Sequence, residues 1–258
     1  MSRGPDPAAP PLVSLTLWGV AGRQVPAALA RMALDRRHLR ATPGLRFGKL
    51  LGTGAGRTFG PRDADPHRWG VLATWSDPDA LAAFEAGPTA RAWGRISTER
   101  LTVTMVPLAS RGQWSRRRPF GDPAPRPVQG PVAAITRARL RWRRTPTFWS
   151  AVPAVAADLH TAPGLRLAIG IGEAPIGLQG TFSLWDDAAR LVTFAHRREP
   201  HAAVVARTAS EKWYAEELFA RFQVLAVEGT IHGRDPLEPH DAPRSPGVVG
   251  RAATQPEP

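Results

Sequence analysis

Residues 42–46 read Thr-Pro-Gly-Leu-Arg, and the sequence Ala-Pro-Gly-Leu-Arg returns 120 positions later, at residues 162–166. A second matching pair follows at an offset of 110, with Thr-Trp-Ser-Asp at 74–77 and Leu-Trp-Asp-Asp at 184–187. The offset falls from 120 to 110 because the first copy has a longer loop at residues 54–67, which is a single insertion. Matching segments in the same order, with a single insertion, indicate an internal repeat.

Each copy of the repeat carries the same order of hydrophobic patterns. Alternation of apolar and polar residues predicts strands, and apolar residues three to four positions apart predict helices. In copy one the patterns predict strands at 12–18, 45–51, 70–75 and 100–107, and helices at 26–39 and after a cap at Ser76. In copy two they predict strands at 131–140, 165–171, 179–185 and 222–227, and helices at 146–159 and, after a cap at Asp186, 186–219.

Both copies therefore have the order βαββαβ, which is the split βαβ unit of ferredoxin-like folds. One face of such a four-stranded sheet carries the helices, and the other face has to be covered. We expect an α+β protein in which two fused ferredoxin-like βαββαβ repeats form a pseudo-symmetric dimeric α+β barrel. The expected organisation is a disordered tail at 1–11, repeat one at 12–110, a linker at 111–130, repeat two at 131–232 and a disordered tail at 233–258.

The charge of the chain favours no nucleic-acid partner. The 258 residues carry 34 Lys and Arg against 22 Asp and Glu, for a net charge of +12, but the only lysines are Lys49 and Lys212. A high-GC genome explains an excess of arginine, glycine and proline without any anionic partner. Residues 116–118 and 139–144 remain candidates for peripheral contact with anionic headgroups, although GC bias predicts the same arginines.

Several kinds of active site are excluded or unsupported by the residue types present. The chain has no Cys, which excludes disulfides, catalytic thiols, zinc-thiolate sites and haem-thiolate. The glycine-rich stretch 52–56 lacks the Lys-Ser/Thr of a P-loop and is interpreted as a hairpin loop. The acidic pairs at 186–187 and 216–217 are interpreted as solvated helix residues, and residues 12–22 as a strand rather than a signal peptide. We expect a cytoplasmic protein.

One histidine stands out by its place in the repeat. The second helix of each copy is interrupted by a proline, Pro88 or Pro200, and the next residue is Thr89 in copy one but His201 in copy two. Residues 202–206, which follow His201, are all Ala or Val and leave room for a large flat ligand. A neutral imidazole there can bind iron or serve as a hydrogen-bonded structural histidine, and the residues alone leave both open.

Several blocks of sequence resemble the spheroidene monooxygenase family, whose members oxygenate carotenoids. The resemblance extends over about residues 12–232 and rests on several blocks in the right order. The blocks are residues 42–45, 49–50, 72–75, 107–120, 130–137, 148–149, 169–173, 181–185 and 213–222.

The resemblance implies a haem-dependent monooxygenase that places a keto oxygen on an acyclic carotenoid or a similar long apolar substrate. It implies haem b as cofactor, dioxygen as co-substrate and a ferredoxin-type electron donor. His201 would be the axial ligand of the iron, with the haem between the sheet and the second helix of copy two. Cofactor contacts are then expected from Arg166, Val205 and Trp213, and catalytic or propionate contacts from Lys49 and Arg137.

Two other functions compete with this one. A cofactor-free monooxygenase of the same fold would act on an aromatic polyketide, and a non-enzymatic protein would only carry haem or lipid. Haem binding and reaction with reductant and dioxygen distinguish the three.

Overall fold

The computed structural model describes residues 11–54, 63–140, 159–173, 180–197 and 214–238. In repeat one the elements are β1 (Leu12–Val20), α1 (Val25–Arg40), β2 (Leu45–Gly54), β3 (Ala64–Trp75), α2 (Pro78–Glu85), α3 (Pro88–Gly94) and β4 (Ser97–Gly112). In repeat two they are β5 (Val132–Leu140), β6 (Leu165–Gly172), β7 (Gly180–Trp185), α4 (Ala188–Arg197) and β8 (Tyr214–Gly229). A short 3-10 turn, Gly22–Gln24, precedes α1.

The eight strands close into one antiparallel barrel in the order β1-β3-β2-β6-β7-β5-β8-β4. Within each half the spatial order is fourth, first, third and second strand of the repeat, as a ferredoxin-like unit requires. The halves meet at two seams. β4 pairs with β8 from Leu101–Gly229 to Gly112–Leu218, whereas β2 pairs with β6 only over residues 52–54 and 170–172. The predicted fold of two fused repeats in a dimeric α+β barrel is confirmed.

The repeated Pro-Gly segment makes the same turn in both halves. Gly44 and Gly164 have φ values of +73° and +82°, a region that glycine adopts without strain. The carbonyl of Gly44 accepts a hydrogen bond from the backbone N–H of Ser76, and that of Gly164 accepts one from Asp186, both at 2.9 Å. Each turn thereby ties the start of a strand to the end of its hairpin partner.

Two layers of apolar side chains form the core. Residues that alternate along every strand point into the barrel, among them Leu15, Phe47 and Phe222. The outer face of repeat one packs against its helices, where Trp18 stacks on Trp93 with ring centroids 5.4 Å apart. The outer face of repeat two has its own cluster of buried apolar side chains, which includes Val132, Trp185 and Phe194.

The ends of several helices differ from the sequence-based predictions. Asp77 rather than Ser76 caps α2, because its Oδ1 accepts the N–H of Ala80 at 2.8 Å. In copy two Asp187 rather than Asp186 accepts such a bond, from the N–H of Arg190 at 2.8 Å. The interruption of the second helix is confirmed in copy one, where α2 and α3 are separated at Gly87.

The long helix predicted at 186–219 is wrong at its C-terminal end. Helix α4 is described over Ala188–Arg197, residues 198–213 lie outside the described residues, and Tyr214–Gly229 forms β8, which pairs with β4 on one side and β5 on the other. Residues 216–217 therefore lie in a strand and not on a solvated helix face. Two-sided pairing determines this outcome, because Leu218, Ala220 and Phe222 fill the barrel only with the two-residue period of a strand.

A further pair of matching turns lies beyond the last strand of each repeat. Trp114 and Arg117 form an isolated bridge, and Ile231 and Arg234 form its counterpart. Trp114 and Phe120, within the segment expected to be a linker, are buried in the barrel core. The domain boundaries stay a prediction. The helix predicted at 146–159 stays one too, because all but its last residue lies outside the described residues. The loop predicted at 54–67 is wrong at its end, where β3 already begins at Ala64, and residues 55–62 of it lie outside the described residues.

Candidate functional site

Four charged side chains and one tryptophan meet at one end of the barrel. They are Lys49 on β2, Arg137 on β5, Glu173 just after β6, Glu216 on β8 and Trp114 in the turn after β4. We call this set the barrel-mouth cluster. Lys49, Arg137 and Glu216 each lie two positions along their strand from a residue whose side chain is in the barrel core. Because alternate residues of a strand face the same side, these three side chains also point into the barrel.

Glu173 is the centre of the cluster. Its Oε2 accepts a hydrogen bond from Lys49 Nζ at 2.5 Å, and its Oε1 accepts bonds from Trp114 Nε1 at 2.6 Å and from the Arg137 guanidinium at 2.8 Å. Burial by itself would raise the pKa of Glu173. The hydrogen bonds from Lys49 and Trp114 and the charges of Lys49 and Arg137 outweigh burial and hold this pKa below its ordinary value.

Glu216 holds the other side of Arg137. It accepts a bond from the guanidinium at 2.8 Å and two more from the backbone N–H groups of Ser115 and Arg116, at 3.1 and 2.8 Å. Burial again opposes ionisation, and the two backbone donors and Arg137 overcome it, so the pKa of Glu216 is also lowered. Both carboxylates are therefore ionised at neutral pH.

Arg137 is the most enclosed charged member of the cluster, with only 3% of its side chain exposed. Its guanidinium also lies 4.8 Å from the ring centre of Trp114. A buried guanidinium is tolerated because two carboxylates offset its charge. With Lys49 the cluster holds two cations and two anions, and Lys49 donates a further bond to Ser115 Oγ at 2.6 Å.

The structure brings together only some of the residues predicted to form the site. Lys49 and Arg137 share one carboxylate, although they lie in different repeats. Arg166 lies elsewhere and pairs with Asp186 and with the carbonyl of Glu238. The remaining predicted residues, His201, Val205 and Trp213, lie outside the described residues.

Sequence analysis missed both carboxylates of the cluster. The interpretation of Glu216 as a solvated helix residue is wrong, because Glu216 lies on β8. Both glutamates belong to blocks that match the family, but no role is predicted for either. Glu216 precedes the alternating apolar residues Leu218 and Ala220, and that alternation was the available signal.

The outer face of the repeat-two sheet differs from its repeat-one counterpart in side-chain size. Strand registers place small residues of repeat two where repeat one has large ones. The matched pairs are Trp18 and Ala138, Leu50 and Gly170, and Val71 and Thr181. Repeat one fills this layer with large side chains, whereas repeat two carries small ones at the matched positions.

Metal ligands do not cluster in the part of the chain that is described. Residues 11–54, 63–140, 159–173, 180–197 and 214–238 contain no group of three or more His, Asp or Glu that could hold a metal ion. Within these same ranges no helix is both long and apolar enough to cross a bilayer.

Comparison with known proteins identifies relatives that are 32–38% identical to the chain. The chain is 35% identical over 234 residues to spheroidene monooxygenase of Rhodobacter capsulatus, which covers 88% of this chain and 95% of that protein. It is 38% identical over 194 residues to spheroidene monooxygenase of Rubrivivax gelatinosus, covering 74% and 73% of the two chains. The protein of the same name from Cereibacter sphaeroides is 32% identical over 238 residues, which cover 89% of this chain and 72% of that one. No protein-family model matches the chain.

Solved structures support the fold. An aldoxime dehydratase co-crystallised with butyraldoxime superposes with a TM-score of 0.55 at 11% identity, covering 85% of this chain and 81% of that one. Another aldoxime dehydratase superposes with a TM-score of 0.52 at 12% identity, covering 86% of this chain and 83% of that one. At these identities the likeness concerns the fold alone.

Proposed function

The chain belongs to the spheroidene monooxygenase family, and from this membership we propose that it is a haem-dependent monooxygenase acting on an acyclic carotenoid or a similar long apolar molecule. The observation that carries the proposal is the 35% identity to the Rhodobacter capsulatus enzyme over 95% of its length. The product would be a keto carotenoid. Dioxygen would be the co-substrate and a ferredoxin-type protein the electron donor.

The haem is proposed to lie on the outer face of the repeat-two sheet. The small side chains of Ala138, Gly170 and Thr181 support this site, because the large side chains at the matched positions of repeat one would occupy the same layer. His201 would hold the iron through a neutral imidazole nitrogen, and Val205 and Trp213 would line the group. Bound haem would supply dioxygen activation by one-electron steps.

The residues of the sheet would exclude water and orient the substrate. A face built from Ala, Gly and Thr offers few hydrogen-bond partners, so a long hydrocarbon can displace water from it at little cost. The overall reaction inserts one oxygen atom of dioxygen into the substrate and reduces the other to water. Two electrons from the donor and two protons complete the balance for each insertion. One insertion into a C–H bond gives an alcohol, and a second at the same carbon gives a gem-diol that loses water to form the keto group.

We propose that Lys49 and Arg137 act as positioning residues rather than as direct partners of the haem. Arg137 stands between Thr136 and Ala138 of the small-residue face, and strand alternation turns its side chain to the opposite side of the sheet. Glu173 directly follows β6 at the same end. The barrel-mouth cluster would thus hold the strands beneath the haem in register. Arg166 remains a candidate for a propionate contact, in competition with Asp186.

The proposal is tested by the absorption spectrum of the protein purified with added haem, oxidised and then reduced. A Soret band that shifts on reduction, is lost in His201→Ala and persists in His160→Ala would support a His201-ligated haem. Conversion of an acyclic carotenoid by the wild type, with reductant and dioxygen, would support the activity.

Other outcomes favour the competing functions. A protein that stays colourless at every haem ratio would favour a cofactor-free monooxygenase. A red protein that never reacts with reductant and dioxygen would favour a carrier. An unchanged spectrum in His201→Ala would contradict the ligand assignment.

A further inference from the structure

One row of side chains crosses the outer face of the repeat-two sheet from β6 to β4. Each member is the register partner of the next, in the order Gly170, Thr181, Thr136, Phe219 and Arg111. The chain neighbours of the first four members belong to the barrel core, so strand alternation turns the row to the outer face. The row therefore leads from the small-residue face to a guanidinium at the long seam.

Phe219 and Arg111 end the row as a contacting pair. The guanidinium carbon of Arg111 lies 5.1 Å from the ring centre of Phe219. Arg111 is exposed, and its guanidinium forms no hydrogen bond or ion pair with any other residue in the part of the chain that the structure describes. Contact with the aromatic ring holds the guanidinium beside the sheet face without using its N–H donors.

The matched row of repeat one differs in both size and charge. It consists of Leu50, Val71, Thr16, Thr102 and Glu228. The first four of these side chains are buried, and the row ends at the exposed carboxylate of Glu228. Pseudo-symmetry thus places an acid in repeat one where repeat two has Arg111. The cation is therefore a specific property of the repeat-two face and does not follow from the general excess of arginine.

We propose that Arg111 binds a carboxylate at the edge of the flat group that repeat two holds on this face, which under the proposed function is a propionate of the haem. Neighbouring strands lie about 4.8 Å apart, so Arg111 starts about 10 Å from Thr136, two strands along the sheet. A porphyrin carries its two carboxylates on one edge, and a ring above Thr136 and Thr181 would point that edge at Arg111.

Guanidinium is suited to this role because it binds a carboxylate with two parallel N–H bonds. The proposal rests on the proposed haem site, and it supplies that site with a cation for which sequence analysis predicted no role. Arg166, the cation predicted there, already pairs with Asp186.

Titration of the full chain with haem and with haem dimethyl ester, followed by Soret absorbance, tests the contact. The ester has the same ring and iron but no free carboxylate. Arg111→Gln should lower the affinity for haem by about fivefold, the upper range for an exposed ion pair, and leave the affinity for the ester unchanged. Arg111→Lys should fall between the two, because lysine keeps the charge but not the two parallel donors.

Arg221→Gln is the matched control. Arg221 lies on the same face of β8, one row along, where its register partner Ala134 packs against the apolar cluster of repeat two. This variant should bind haem and the ester like the wild type. Circular dichroism checks that both Gln variants are folded.

Two sets of outcomes separate this proposal from the proposed function. Wild-type haem affinity in Arg111→Gln, equal losses for haem and the ester, or the same loss in Arg221→Gln would overturn the carboxylate contact and leave haem binding by the wild type intact. A wild type with no Soret band would contradict the proposed function, and this proposal with it.

Discussion

Lys49 of the first repeat and Glu173 of the second are joined by a hydrogen bond of 2.5 Å between Nζ and Oε2, although 124 residues separate them. The bond lies beside the shorter of the two seams, where β2 and β6 pair only over residues 52–54 and 170–172. The longer seam holds its strands by an extended ladder of backbone bonds. We interpret the barrel-mouth cluster as the side-chain closure that the short seam requires.

Removal of the central carboxylate should therefore destabilise the protein. Glu173→Gln keeps the shape of the side chain but places a neutral amide against two cations. We expect the free energy of unfolding to fall by about 2 kcal/mol, the range of charge-assisted hydrogen bonds in a partly buried site. Urea denaturation at neutral pH measures the change.

Glu217→Gln is the control for this variant. Glu217 is the strand neighbour of Glu216 and lies outside the barrel-mouth cluster, so its substitution should change stability by less than about 0.5 kcal/mol. Equal effects of the two substitutions would mean that the cluster contributes nothing specific.

The cluster should also make stability depend on acid pH. The pKa values of Glu173 and Glu216 lie below the ordinary glutamate value of 4.5 in the folded protein. The stability that the two ionised carboxylates add to the folded protein is thus present in full above pH 4.5. It is lost as the pH falls through their pKa values in the folded state. The stability difference between wild type and Glu173→Gln should shrink as the pH is lowered below 4.5. Urea midpoints of both proteins through this range measure it, and a constant difference would contradict the assigned pKa direction.

The two Pro-Gly turns should respond differently to the same substitution. In Gly44→Ala the new Cβ would lie 2.4 Å from the Cβ of Ala80, which cannot swing away, whereas in Gly164→Ala it would meet the flexible side chain of Arg190 at 2.6 Å. Gly121, with φ of +65° and nothing within 4 Å, reports the backbone strain alone. We expect losses of about 1 kcal/mol for Gly121→Ala, slightly more for Gly164→Ala and about 3 kcal/mol for Gly44→Ala. The midpoints of thermal unfolding rank the three variants. Equal losses of stability would show that the contacts with Ala80 and Arg190 do not matter.

The fold was predictable because its signals are local. The Pro-Gly pair that precedes a strand, with glycine at residues 44 and 164, predicts a turn without knowledge of any distant contact. The end of the second repeat was not predictable in this way. Glu216, Phe219 and Phe222 fit a helical spacing as well as a strand, and only pairing with both β4 and β5 decides between the two.

The barrel-mouth cluster was predictable only in part. Lys49 is notable in the sequence because lysine is rare in this arginine-rich chain, and Arg137 lies in a matching block. Nothing in their sequence separation indicates that they share Glu173, because that contact depends on strand register and barrel closure. The predicted ligand His201 lies outside the described residues and stays a prediction.

The proposed haem site can be tested by giving repeat two the side chain that repeat one carries. Trp18 fills the outer layer of repeat one, and Ala138 is its counterpart on β5. Ala138→Trp should put a large side chain where we propose the haem and lower haem affinity by roughly tenfold or more, because a packed site accepts added volume only with strain. Haem titration followed by Soret absorbance measures the affinity, and circular dichroism checks the fold. Leu225→Trp adds the same side chain at an exposed position of β8 and should bind haem like the wild type. Wild-type haem affinity in a folded Ala138→Trp protein would place the haem elsewhere.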